Sequence, residues 1–294
     1  MDVGVALPQM AEGLDRERLV AWCAGIDSGP FSSISAGERI TFRNLEGLTL
    51  CAAAAALTSR VRVLINVAVV PWHSPAMLAK QVATIDVISN GRCELAVGVG
   101  GRSDDYLALG RPDDHRHQRL DDGVLELRRL WAGNPAADGQ PIGPPVVRAT
   151  GPRLYASAMG PKAMARAAQW AQGVSGFSLL GDPADAERSR VGALTAWADA
   201  GRTERPTIIS GAFVALGPEA EDRLKSFAYD YLAVFGDEAA TALAGLLTLH
   251  TPERLSSVLD SMSSAGCDEF IIVPADSDPE CLARITDVVG DWKR

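Results

Sequence analysis

A chain of 294 residues, 47% hydrophobic and 22% charged, has the make-up of a globular protein and the length for one large barrel or two ordinary domains. No apolar run approaches the roughly 20 residues that span a bilayer, which excludes a membrane protein. A formal charge of -9 argues against a nucleic-acid partner, which would require a basic face.

The chain opens on MDVGVALPQM, an apolar run with an acid at position 2 and no basic leader, so it reads as a first strand rather than a signal peptide. Cytoplasmic residence is the expectation. Strand-like runs follow at 31–35 (FSSIS), 61–70 (VRVLINVAVV), 93–97 (CELAV), 153–156 (RLYA), 173–177 (GVSGF), 207–215 (TIISGAFVA) and 269–273 (EFIIV), which with 2–7 makes eight. Helical periodicity falls between them at 15–25, 45–58, 75–89, 116–131, 161–171 and 183–200, then in a long region from 218 to 264, and finally at 279–292. Strand and helix alternate throughout, which predicts an α/β fold of the (β/α)8 TIM-barrel type with a helical insertion before the last strand. A doubly wound sheet would carry G-x-G-x-x-G after an early strand. The nearest match, GVGGRS at 98–103, has Ser103 in place of the third glycine and follows the fourth strand. The Gly/Pro-rich stretch 133–145 reads as a long loop, so a single domain over 1–294 is expected.

Five cysteines, at 23, 51, 93, 267 and 281, are odd in number, scattered and without a C-x-x-C pair. They read as reduced core residues rather than a disulfide framework or a thiolate metal site. His115 and His117 are two apart and do not share a helical face, so no metal is expected there.

In a barrel the active site forms at the carboxyl ends of the strands, which directs attention to the residues just after each apolar run. These are Pro8 and Gln9, the polar SAGER segment with Glu38 and Arg39, Asn66 within the third strand, GVGGR with Gly98, Gly100 and Arg102, SAMGPK, and Ser178. RLYA delivers Ser157, Ala158, Met159 and Gly160 to the rim, and Pro161 suits a first helical position. A helix beginning there presents unpaired N–H groups and a positive dipole end, either as a phosphate site or as an ordinary strand-to-helix turn. Asn66 is the one polar residue in an apolar run, and a buried amide needs a partner from the protein or from a ligand. Asp104, Asp105 and Tyr106 read as caps and anchors of the segment that follows.

Two longer stretches, HSPAMLAKQVATIDVISNGRCELAVGVGG at 73–101 and YASAMGPKAMARAAQWAQGV at 155–174, together with CDEFIIV near the end, resemble the bacterial luciferase-like superfamily of flavin- or deazaflavin-dependent oxidoreductases. The resemblance runs over nearly the whole chain. It implies a luciferase-like barrel holding flavin mononucleotide (FMN) or the 8-hydroxy-5-deazaflavin coenzyme F-420, with the cofactor phosphate on backbone amides around Met159 and Gly160. It also implies a non-prolyl cis peptide at Asn66–Val67 forming a bulge against the ring, a small organic substrate, and a homodimer. Catalytic assistance would come from Glu38 and Arg39, at the position after the second strand where family members place a polar group; the two could instead pair with each other. Here the chain departs from better-known members, with GPFSSISAGERI in place of an aromatic-rich segment ending in a histidine or acid. Arg102 could serve the longer anionic tail of F-420. The choice matters because a deazaflavin transfers hydride and reacts poorly with oxygen, whereas reduced flavin can oxygenate a substrate. A non-catalytic barrel binding flavin or another phosphate ligand, and other phosphate-binding barrel enzymes, are the competing readings.

Overall fold

The computed structural model describes every residue except Asp138. Eight parallel strands close a barrel in chain order. They are β1 (Asp2–Ala6), β2 (Ser33–Ala36), β3 (Arg62–Val69), β4 (Cys93–Gly98), β5 (Arg153–Ala156), β6 (Gly173–Ser175), β7 (Thr207–Val214) and β8 (Glu269–Pro274). Helices α1 (Arg16–Ser28), α2 (Gly47–Leu57) and α3 (Pro75–Ile88) follow the first three strands in turn. After β4 come α4 (Ser103–Ala108) and α5 (Arg116–Trp131), and after β5 and β6 come α6 (Pro161–Trp170) and α7 (Pro183–Asp199). Three helices, α8 (Ala220–Leu232), α9 (Asp237–Ala244) and α10 (Pro252–Ser264), separate β7 from β8, and α11 (Pro279–Trp292) closes the chain. The helical insertion expected before the last strand is present, its helices broken at Gly236 and again after Gly245.

The chain divides into two compact units, one of Met1–Ile34, Gly176–Val191 and Thr207–Arg294, the other of Ser35–Ser175 and Gly192–Pro206. In the first, β7 and β8 pair over six residues and β8 also pairs with β1. Phe213 on β7 stacks against Phe177, Phe227 and Tyr231, so aromatic contacts of about 0.5–1.5 kcal/mol each tie α8 to its strand. The second carries β3, β4 and β5 side by side, with a register shift on β3 between Asn66 and Ala68. The Asn66–Val67 peptide there is cis. Strand interiors such as Val63, Leu64, Ile65 and Leu95 are fully buried, as in parallel sheets covered by helices.

The stretch 133–145 lies between α5 and β5 and carries no helix or strand element, with Asp138 outside the described residues. The five cysteines are free and buried, and burial pushes the thiols of Cys23 and Cys267 up to about 12 and that of Cys281 to about 11, leaving them inert. No helix among the described residues is long and apolar enough to cross a membrane.

Candidate functional site

The second compact unit brings most of the expected site residues together around the end of β3. The segment that follows β2 lies across this end, joined to it through Gly37, Glu38 and Ile40 and to the neighbouring Asp105 through Thr41. Gly37 packs its backbone onto the Asn66–Val67 peptide so closely that a Cβ would stand 2.2 Å from Asn66 O. Glu38 donates its N–H to Val67 O at 3.1 Å. Its carboxylate accepts from the Val69 N–H at 2.6 Å and faces His73 Nε2 at 2.8 Å. Ile40 packs against Val69, Trp72 and Tyr106. Thr41 donates through both N–H and hydroxyl to Asp105 Oδ1, at 2.6 and 2.5 Å.

Glu38 therefore spends its two oxygens on the end of β3 and the start of α3. Arg39 is buried, with its guanidinium 3.8 Å over the Phe42 ring. Asn66, half-buried, has its side-chain oxygen satisfied by the Ser175 hydroxyl at the end of β6, 2.9 Å away. That supplies one of the partners a buried amide requires from within the protein.

Across the bulge lies β4. A Cβ on Gly98 would sit 3.2 Å from Ser157 Cβ and 3.6 Å from a Val67 methyl, so the bare glycine brings the β3 bulge and the end of β5 close together. Gly100, at φ +67°, turns the chain away from the strand beside Val69 and Trp72. Arg102 stands at the N-cap of α4 and is half-buried. Asp104 and Asp105 occupy the first turn of that helix, where acids suit the dipole, and Asp105 is the anchor for Thr41. Tyr106 donates its hydroxyl to Val99 O, and burial raises its pKa. The six-residue α4 lies where sequence periodicity gave no helix, because one and a half turns are too short for an amphipathic pattern to register. Thr41 is exposed, so in Asp105→Ala water takes over its two donors and only the net worth of these hydrogen bonds is lost. A loss of about 1 kcal/mol in unfolding free energy by urea denaturation is the expected result.

Ser157, Ala158, Met159 and Gly160 follow β5 as expected. Ser157 is exposed and donates its N–H to Val97 O, Ala158 is buried, and Met159 is 88% exposed. Gly160, at φ +80°, is the N-cap of α6, and Pro161 is its first residue. Space beside Gly160 is open, since a Cβ there would meet nothing within 4 Å. Met159 and its neighbours line a cleft with His117, Asp121, Arg166 and Trp170. Arg166 donates to His117 Nδ1 at 3.0 Å and pairs with Asp121 at 3.4 Å. Partial burial and the positive charges of Arg166 and Arg116 hold the His117 pKa below its ordinary value.

Sequence reasoning missed His73 and Arg166. No local signal marks either, since each acquires its partner only through the fold. Gln9 and Ser178, named from their place after β1 and β6, belong to the other compact unit. There Ser178 Oγ donates to Asp185 at 2.7 Å and accepts the Asp182 N–H at 2.8 Å, so it stabilises the turn into α7.

A closed eight-stranded parallel barrel, with a bulge on β3 and a helix that starts at Gly160–Pro161 after β5, defines a (β/α)8 barrel. The chain belongs to the luciferase-like monooxygenase family, whose model matches residues 1–291. Part of it is similar to the pyrimidine monooxygenase RutA of Acinetobacter baylyi, 41% identical over 94 residues, covering 30% of this chain and 25% of the relative. A segment of similar size matches the FMNH2-dependent dimethylsulfone monooxygenase of Pseudomonas putida at 34% identity over 89 residues, 29% of this chain and 24% of that one. The matched segments thus span about a quarter of the length of these curated relatives. The fold is similar to that of an F420-dependent secondary alcohol dehydrogenase solved with an F420-acetone adduct, with a TM-score of 0.76 at 16% identity and 100% and 99% of the two chains covered.

Proposed function

We propose that this protein is an oxidoreductase that holds a flavin-type ring, FMN or coenzyme F-420, in the barrel mouth and acts on a small organic substrate. The observation that carries the reading is the convergence of three features in one place: the β3 bulge at Asn66–Ala68, the bare Gly98 between Val67 and Ser157, and the open N-terminus of α6 at Gly160. Family membership supports it, and the relatives that use reduced FMN or F420 make both rings candidates.

The residues present fit such a group. The bare Gly98 lets the β3 bulge at Val67 and the end of β5 at Ser157 come together into one surface for a flat ring, and open space at Gly160 leaves room for a phosphate on the backbone amides of Met159 and Gly160. Arg166, in the cleft that Met159 also lines, adds positive potential for an anion. When bound, the ring would supply the hydride or oxygen chemistry itself. The protein's part is to bind and orient it. Asn66, Val67, Gly98 and Gly100 form the ring face in this reading, and Ser157, Ala158, Met159 and Gly160 hold the phosphate. Arg102 serves a longer anionic tail if one is present. Arg39 assists as a fixed cation held by Phe42, and Glu38 assists through the contacts it makes to β3. One barrel domain, cytoplasmic residence and a homodimer belong to the same proposal.

The test is a titration of the purified protein with FMN and, separately, with F-420, followed by ring fluorescence and repeated for Gly160→Asp and Gly160→Ala. Both variants share the cost of a side chain at positive φ, but only aspartate adds a negative charge at the helix N-terminus. Saturable binding of one ring is expected, weakened about tenfold or more by aspartate and clearly less by alanine. Equal affinity for all three proteins would remove the phosphate from this turn.

A further inference from the structure

Glu38 is 3% exposed at its side chain, and a carboxylate so placed must be paired. Its partners all lie on one short stretch of chain. The backbone N–H reaches Val67 O, one carboxylate oxygen takes the Val69 N–H, and the other faces His73 Nε2. β2 ends at Ala36, whereas β3 continues to Val69, so here a side-chain oxygen accepts the Val69 amide in place of a strand carbonyl. Residue 38 thus spans the register shift of β3, its N–H on Val67 and its carboxylate on Val69, and the carboxylate also ties the far side to His73, just before α3. With Gly37 pressed on Asn66 and Thr41 held by Asp105, residue 38 is the central rivet of a seam along the bulge.

We infer that Glu38 is a positioning residue that fixes the β3 bulge at Asn66–Ala68 for the ring, acting through hydrogen bonds to Val67, Val69 and His73 rather than by giving a proton to substrate. The inference rests on the proposed cofactor reading and deepens it. Each carboxylate oxygen already faces β3 or His73, at 2.6 and 2.8 Å, and with the side chain 3% exposed little of it is presented to a substrate. Charge is not what such a clamp requires. A glutamine can accept the Val69 N–H with its carbonyl oxygen and donate to His73 Nε2 with its amide when that nitrogen is unprotonated. Alanine can do neither.

Two measurements on the wild type, Glu38→Gln and Glu38→Ala judge the clamp and its purpose separately. Amide hydrogen exchange over residues 66–72 of the unliganded proteins reads the clamp alone. Exchange is expected to rise about tenfold in Glu38→Ala, as loss of the hydrogen bond to the Val69 N–H implies, and to stay near wild type in Glu38→Gln. Titration with FMN and with F-420 reads what the clamp positions. Glu38→Ala should bind the ring about tenfold more weakly, with a displaced absorption maximum of the bound ring, and Glu38→Gln should restore both affinity and spectrum. Merely structural damage would lower the melting temperature without moving the spectrum of the ring that still binds. Unchanged exchange in Glu38→Ala overturns the clamp. Faster exchange with wild-type affinity and spectrum overturns its role in positioning. A glutamine variant that fails like alanine would show that the charge is needed and overturn the inference too. If the wild type binds neither ring, the cofactor reading falls and the positioning role falls with it, while the exchange result still judges the clamp.

Discussion

Glu94→Ala is expected to lower the unfolding free energy by about 3–5 kcal/mol, the cost typical of breaking a buried pair from one side. Glu94 lies on β4 with 2% of its surface exposed, and its Oε2 accepts from Arg62 at 2.7 Å and from the Tyr155 hydroxyl at 3.0 Å. These two partners sit on β3 and β5, so one carboxylate ties three adjacent strands through their side chains. Removing it leaves the buried Tyr155 hydroxyl and the Arg62 charge without this acceptor. Burial and the neighbouring carboxylate push the Tyr155 phenol well above its ordinary pKa, so it remains a neutral donor at any working pH. Arg62 keeps 27% of its side chain in solvent, and water can take part of the lost role, which places the expectation at the lower end of the range. Glu94→Gln preserves an acceptor for Tyr155 and should cost clearly less. Urea denaturation with an unchanged m-value measures both, and a loss below about 1 kcal/mol in the alanine variant would show that the three strands do not depend on this pair.

Gly37→Ala is the second large effect. An added Cβ would stand 2.2 Å from Asn66 O, 2.7 Å from its carbonyl carbon and 2.8 Å from Val67 N, and all three are backbone atoms that no rotamer change can move. Overpacking of this kind costs about 1–3 kcal/mol or more, and here the strain falls on the bulge itself. We therefore expect both a lower melting temperature and loss of ring affinity from a single added methyl group. Leu107→Ala, at a position 79% exposed on α4, provides a control that should change neither. A Gly37→Ala protein with wild-type melting temperature and wild-type ring affinity would mean that the segment after β2 yields freely and does not set the bulge.

The barrel was legible because its evidence is local. Alternation of apolar runs with helical periods located all eight strands, and Pro161 after Gly160 marked the start of α6 within a turn of the β5 end. Helix breaks inside 218–264 were harder to read, since alanine-rich α9 continues the composition of α8 and single residues, Gly236, Gly245 and Pro252, are what interrupt it. The bulge could be placed from a resemblance and from the lone asparagine in an apolar strand. What Glu38 does could not, because its partners stand 31 and 35 residues further along and nothing in SAGER points to them. Sequence placed Glu38 at the rim by counting from the strand end. Only the fold shows that its carboxylate turns toward the β3 backbone. His73 was passed over for the same reason: it reads as a loop residue before Ser-Pro until the chain folds it against a buried carboxylate.

The most direct test of the cofactor reading is a crystal structure of the protein grown or soaked with saturating FMN and, separately, with saturating F-420. The account predicts that one of the two rings lies against Val67 and Gly98, with its phosphate within hydrogen-bonding distance of the Gly160 backbone. A ring bound elsewhere on the molecule, or a barrel mouth that takes up neither, would contradict it.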